Sequence, residues 1–308
     1  MGRDIYYKDA FDKICSLVAD YLAHYNLKTM VVGMSGGIDS TVVAAICKRV
    51  VMDNPSHGFK LVGVSLPCDS NTDEENHSAW LAMNAFCDEW WIESLQKEYM
   101  LMKSTCELHA ESTMVSQGNI KARLRMIYLY NLACVRNGIV MDTSNMSENM
   151  LGFWTLHGDV GDLAPLSSLW KHEVYNLARE VKLWYESLLE SKINGYEQNA
   201  LENAIAITPT DGNGVSDGGD MMQIAPYSTY QAVDVILEEY ISCIKPWHKL
   251  WETEPNKPEV ILSKAKMGEL NDKYGEATVG LVIKRHMQTE FKRHGMPVKI
   301  QTLGHGGQ

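Results

Sequence analysis

The sequence has no run approaching the ~18 consecutive apolar residues that a membrane-crossing helix needs. Its N-terminus, MGRDIYYKDA, lacks the apolar segment of a secretory signal, and Tyr6 stands where a myristoylation site needs Ser or Thr. A cytoplasmic protein is expected. The seven cysteines (15, 47, 68, 87, 106, 134 and 243) are odd in number and form no CxxC pair. Neither a zinc ribbon nor a disulfide framework is indicated, and reduced thiols fit. Basic charge is short, with 28 Lys and Arg against 39 Asp and Glu and a net charge of −11. A broad basic face is therefore not expected, and nucleic acid is not an expected partner, although a local basic pocket stays open. There is no repeat, no low-complexity tract and no clear linker.

What is present is ordinary globular composition: 45% hydrophobic and 22% charged over 308 residues. One domain over 1–308 is expected, with a sheet-and-nucleotide core at about 24–185 and a helical part at about 186–308. Residues 10–24 carry Phe11, Ile14, Leu17, Val18, Tyr21 and Leu22 at helical spacing. The run 29–33 (TMVVG) reads as a buried strand, 40–51 as a helix and 60–66 (KLVGVSL) as a second strand. Strand, helix, strand in about forty residues is a βαβ unit, so an α/β fold with a mostly parallel, doubly wound sheet is expected. Helices are predicted at 73–91, 99–115, 120–135, 171–181, 184–193, 229–244, 258–271 and 276–292, and a third strand at 138–141. Residues 208–220 (TPTDGNGVSDGGD) read as a loop.

Between the first strand and its helix lies Gly33-Met34-Ser35-Gly36-Gly37-Ile38-Asp39-Ser40-Thr41. Small residues there let backbone N–H groups converge on an anion at a helix N-terminus. The loop has no lysine, so it is not a Walker A loop, and it is not GxGxxG. The plain alternative is a tight βα turn in which Asp39 is a first-turn acid and Ser40 a helix starter. Further on, GNIKARLRM (118–126) opens a predicted helix with Lys121, Arg123 and Arg125 near its start, where the helix dipole disfavours cations. Either a bound anion offsets this or the face is simply solvated. Lys121 and Arg125, four apart, share a face, while Arg123 points elsewhere. Asn145 and Glu148, three apart, also have the spacing of a capping box.

Together these motifs resemble those of a known family. The 35–40 string resembles the SGGxDS signature of the ATP-pyrophosphatase (PP-loop) superfamily. GNIKARLRM resembles the GNxKARxRM signature of its NAD synthetase branch. Residues 142–148 resemble GTDxxxE, with Asp142 in place of Gly. Residues 152–166 resemble GFFTKxGDGGxDxxPL, with Leu156 in place of a substrate-binding lysine, Val160 in place of Gly, and one residue missing before Asp162. The segments 169–174 (LxKxxV), 209–212 (PTDG) and 289–297 (TExKRxxP) follow in family order, while 219–224 resembles DExxLG only loosely, its acidic pair reduced to Asp220.

The resemblance spans about residues 10–300. It implies a Rossmann-like, adenine-nucleotide alpha-hydrolase-like fold and ATP-dependent amidation of deamido-NAD by ammonia. By that resemblance Gly33, Ser35, Gly36, Gly37, Asp39, Ser40, Thr143, Lys171 and Thr210 bind ATP. Arg123, Asp162, Phe291 and Lys292 bind deamido-NAD, Asp39 and Glu148 hold Mg²⁺, and Asp39, Lys171 and Asp162 are the catalytic set. Asp159 is a second candidate for deprotonating ammonium. His157 is a candidate substitute for the lysine missing at 156. The resemblance also implies a homodimer. No room is expected in front of residue 33 for a glutaminase domain, so free ammonia, or ammonia from a separate protein, is the expected donor. Another PP-loop ligase with a different acceptor, or an inactive nucleotide-binding protein, are the alternatives.

Overall fold

The computed structural model describes residues 5–158, 160–188, 196–207 and 228–293. The expected loop at 208–220, with Thr210 and Asp220, lies outside them, as do Asp159 and Pro297.

Four strands, β1 (Thr29–Gly33), β2 (Lys60–Ser65), β3 (Glu89–Ile92) and β4 (Gly138–Val140), form a sheet in the order β3-β2-β1-β4. Every pairing is parallel, with Thr29 opposite Lys60 and Gly138. Residues 29–32 are buried, as a strand covered on both faces requires. Helix α1 (Tyr7–His24) presents Phe11, Cys15, Val18 and Leu22 as one apolar stripe. Helix α2 (Ile38–Asp53) buries eight residues in a row, Ser40 to Cys47. It is covered on all sides, by β1, β2, α1, α3 (Asp73–Phe86), α7 (Lys171–Leu188) and α8 (Tyr196–Ala206).

The other α-helices among the described residues are α4 (Gln96–Glu107), α5 (Met114–Val135), α6 (Met146–Leu151), α9 (Tyr230–Glu239), α10 (Lys245–His248), α11 (Pro258–Tyr274) and α12 (Glu276–Gln288). A π-helical turn, Tyr240–Ile244, joins α9 to α10. A second apolar core, including Leu151, Trp170, Val233, Ile236, Leu237 and Val282, underlies these C-terminal helices.

Four expectations need correction, one being that the helix predicted over 99–115 is α4, Gln96–Glu107, and stops before residue 108. The helix predicted over 73–91 ends at Phe86, and the chain turns extended into β3. Asp88 causes the change by exchanging two bonds with Leu61 on β2: its Oδ2 accepts from the Leu61 N–H at 2.8 Å and its own N–H donates back at 3.0 Å. The pairing is long-range, so local propensity carries no sign of it. Next, Gly118-Asn119 does not interrupt: a Thr113–Ser116 capping box starts α5 at Met114. Lys121 is thus well beyond the first turn, where the dipole penalty no longer acts, and it pairs with Asp69 at 2.8 Å. Finally, the helices expected at 171–181 and 184–193 are one continuous helix, α7, to Leu188.

Candidate active site

The chain leaves β1 toward β2 on one side, while β4 pairs on β1's other side. Open α/β sheets bind ligands at such a switch point, beyond the carboxyl ends of the strands. The Gly33–Thr41 loop leaves β1 there, and residues 141–148 leave β4.

The loop is shaped by glycine. Gly36 has φ +87°, and a Cβ on it would stand 2.3 Å from the Glu75 carbonyl oxygen, so only glycine fits. The Ser78 hydroxyl donates to the Gly36 carbonyl at 2.6 Å and fixes the loop against α3. Gly37 occupies the N-cap of α2 and supplies no side-chain cap. The Ser35 and Ser40 hydroxyls lie 3.1 Å apart, and Ser40 donates to the Gly37 carbonyl. This is an anion-accepting mouth at the start of a buried helix.

Three charged groups meet beside it. The Lys171 ammonium donates to Asp39 Oδ2 and lies 3.4 Å from Glu148 Oε1. The Asn145 amide donates to Asp39 Oδ1 at 2.9 Å. Lys171 is only 3% exposed. Burial by itself would lower its pKa, but the Asp39 and Glu148 carboxylates hold it well above the ordinary lysine value. Glu148 serves twice: Oε2 accepts from the Asn145 N–H in the capping box of α6, and Oε1 faces Lys171. The capping reading and the charged-site reading of this residue therefore both hold geometrically.

A cavity of about 580 Å³ runs from this cluster past Thr143 and Ser144 to Phe291 and Lys292. Arg125 lines it, donating to the Leu66 carbonyl and the Asn71 side-chain oxygen at 3.0 Å each. At the far end the cations serve the protein itself. Lys292 donates to the carbonyls of Gly152 (2.7 Å) and Trp154 (2.5 Å). Arg285 donates to Leu151, and Arg293 to Met150, at 2.9 Å each. The Met150, Leu151 and Gly152 carbonyls lie at the C-terminal end of α6, where oxygens have no partner within the helix. Arg123 is exposed and donates to the Leu156 carbonyl at 3.1 Å. Asp162 is exposed too and accepts from the Tyr130 hydroxyl at 2.9 Å. Tyr130 lines the cavity, but Arg123, His157 and Asp162 do not.

Residues 10–191 match the family model for NAD synthase. The chain belongs to the NAD synthase family. It is 31% identical over 173 residues to the NH₃-dependent NAD⁺ synthetase of Campylobacter jejuni, covering 56% of this chain and 67% of that one. Among solved structures, NMN synthetase from Francisella tularensis superposes with a TM-score of 0.67 at 22% identity, covering 98% of this chain and 99% of that one. NH₃-dependent NAD synthetase from C. jejuni, in complex with the nitrate ion, gives 0.64 at 22%, covering 96% and 100%. These two likenesses establish the Rossmann-like α/β fold.

Of the residues singled out from the sequence, Gly33, Ser35, Gly37, Asp39, Ser40, Thr143, Glu148, Lys171, Phe291 and Lys292 line one cavity. Gly36 lies beneath the loop, against α3. Asp142, the departure from the family glycine, accepts from the Ser144 and Gly161 N–H groups at 2.6 and 3.1 Å, so it ties the loop after β4 to the loop before Leu163. Asn145 as a partner of Asp39 was missed, and so was Arg125 as a cavity residue. The first carried a signal only for its cap, and 106 residues separate it from Asp39. For Arg125 the shared face with Lys121 was visible, but not what that face meets. The donor set of Asp39 and Glu148 is hard oxygen and suits Mg²⁺, which takes one or two carboxylates and completes its shell from phosphates and water.

Proposed function

We propose that this chain is an ammonia-dependent NAD synthetase: a ligase that converts deamido-NAD, ATP and ammonia to NAD, AMP and pyrophosphate. The observation that carries the reading is the meeting of Asp39, Glu148 and Lys171, from three distant segments, beside the Gly36 loop. The name of its C. jejuni relative supports the activity and the ammonia donor.

The nicotinate carboxylate attacks the α-phosphorus of ATP, the bond to the β-phosphate oxygen breaks, and pyrophosphate leaves. Ammonia then attacks the acyl-adenylate carbonyl, and AMP departs as the amide forms. No side-chain nucleophile is needed; the protein positions two anionic substrates and offsets the growing charge. The Ser35–Ser40 loop, Thr143 and Thr210 hold the triphosphate, and Lys171 supplies positive charge at the phosphates. Asp39 and Glu148 are the residues that would hold Mg²⁺, which supplies Lewis-acid stabilisation of phosphate oxygens. Asp162, which accepts from Tyr130 of the cavity wall, and Asp159 are the two candidates to take the proton from ammonium; Phe291 and Lys292 line the end that would take the acceptor, and Arg123 would reach it from outside the wall. The reading also carries a single domain over 1–308 and a cytoplasmic homodimer. Among the described residues no helix is long and apolar enough to cross a membrane.

The test measures NAD, AMP and pyrophosphate with ammonium chloride against glutamine. Deamido-NAD and nicotinate mononucleotide are the two acceptors, because Leu156 stands where the family has a substrate-binding lysine. NAD formed with ammonium, in step with AMP and pyrophosphate, supports the reading. Faster turnover of the mononucleotide replaces the acceptor. ATP binding without turnover of either refutes the activity.

A further inference from the structure

The reaction above makes no use of Asp234, yet this carboxylate on α9 is completely buried. A buried carboxylate is costly unless donors surround it. Three donors do. The Ser147 hydroxyl donates to Oδ1 at 2.5 Å. The His172 backbone N–H and ring Nδ1 lie 3.0 and 2.9 Å from Oδ2. Ser147 Oγ in turn accepts from the Lys171 backbone N–H at 2.7 Å. Asp234 thus satisfies the first two amides of α7, one directly and one through Ser147, at the positive end of that helix. A cap that only started the helix would not need the His172 ring. Ser147 precedes Glu148, and His172 follows Lys171. The carboxylate therefore joins the first turns of α6 and α7, the two turns that bring Glu148 Oε1 to 3.4 Å from the Lys171 ammonium.

We propose that Asp234 is a positioning residue: through Ser147 and His172 it sets the placement of Lys171 relative to Glu148 and Asp39, without touching substrate. The inference rests on the reaction proposed above for Lys171.

Asp234→Asn and Ser147→Ala are compared with wild type in the full chain. Each is expected to lower kcat for pyrophosphate release ~10–100-fold, as small misplacements of reacting groups do. The KM for the acceptor should stay within about threefold, because neither link of Asp234 runs to the residues proposed to hold the acceptor. The double variant should lose no more than the worse single one, since both cut one link. A readout independent of turnover is acylation of Lys171 by acetic anhydride, followed by peptide mass spectrometry; it should quicken several-fold in either variant. Ile236→Val, in the core beside Asp234, should lower Tm and change neither kcat nor acylation. Lower Tm with wild-type kcat and wild-type acylation would overturn the proposal, and so would additive losses in the double variant. If Asp234→Asn does not fold, Ser147→Ala carries both readouts. If the wild type turns over neither acceptor, the reaction is wrong, and the acylation rates still decide the role of Asp234.

Discussion

The two ends of the cavity are built differently. At the phosphate end, Asp39, Glu148 and Lys171 each sit in the first turn of a helix, α2, α6 and α7, and each helix starts beyond the sheet or against the core. Their backbones are fixed by buried neighbours such as Ile38, Ser147 and Val174. At the end proposed for the acceptor, Phe291 is exposed and Lys292 spends its donors on the carbonyls of Gly152 and Trp154, while Arg123 and Asp162 are exposed and stand off the cavity wall, Arg123 donating to the Leu156 carbonyl. Motif residues anchored by a core converge. Those on surface turns fall where local contacts draw them.

The strongest way to break this comparison is at its rigid end. Lys171→Met leaves Asp39 and Glu148 facing each other without the ammonium and removes positive charge from the phosphates. Pyrophosphate formation under saturating ATP should fall ~10²–10³-fold, the usual cost of losing one preorganised charge-stabilising group. A loss below tenfold would remove Lys171 from the chemistry.

The acceptor end should answer to acid instead. His286 is buried; its Nδ1 lies 2.9 Å from the Met150 carbonyl, and its Nε2 lies 3.5 Å from the Lys245 ammonium. Burial above all, with Arg293 and Lys245 adding to it against Glu290 and the Met150 carbonyl, pushes its pKa down to about 4 from 6.5. The unfolded chain therefore takes up a proton between pH 6.5 and 4 that the folded one refuses. Stability should be full above pH 6.5 and fall by up to ~3 kcal/mol toward pH 4. Thermal unfolding across that range measures it, and His286→Gln should flatten the slope.

Restoring the family lysine sharpens the comparison by a smaller amount. Leu156→Lys adds a charge-assisted contact of ~1.5–3 kcal/mol if the loop presents it to substrate, lowering acceptor KM about tenfold or more at unchanged kcat. An unchanged KM would mean that the loop aims residue 156 away from the acceptor. The smallest effect concerns His157, expected from its neighbourhood to replace that lysine. It is exposed, has φ +53° and is not part of the cavity wall. His157→Ala should leave acceptor KM within about twofold, in the ordinary range of surface substitutions. A larger rise would reinstate it.

The sequence by itself determined β1, α2 and the glycine-dependent turn between them, because buried apolar runs and positive φ leave few alternatives. It also determined the Asn145–Glu148 cap and the split of Lys121 and Arg125 from Arg123, since three- and four-residue spacings are helix geometry. The start of α5 escaped because Gly118 mimics a stop, while tertiary packing outweighs its cost of about 1 kcal/mol. Only the tertiary structure decided β3, the partnership of Asn145 with Asp39, and the burial of Asp234 between two helix starts. Each depends on residues 27 to 106 positions apart meeting across the sheet or the core. Hydrogen bonds and charge pairs at that separation leave no periodicity in the chain; they exist because strand order and helix packing bring the partners within about 3 Å.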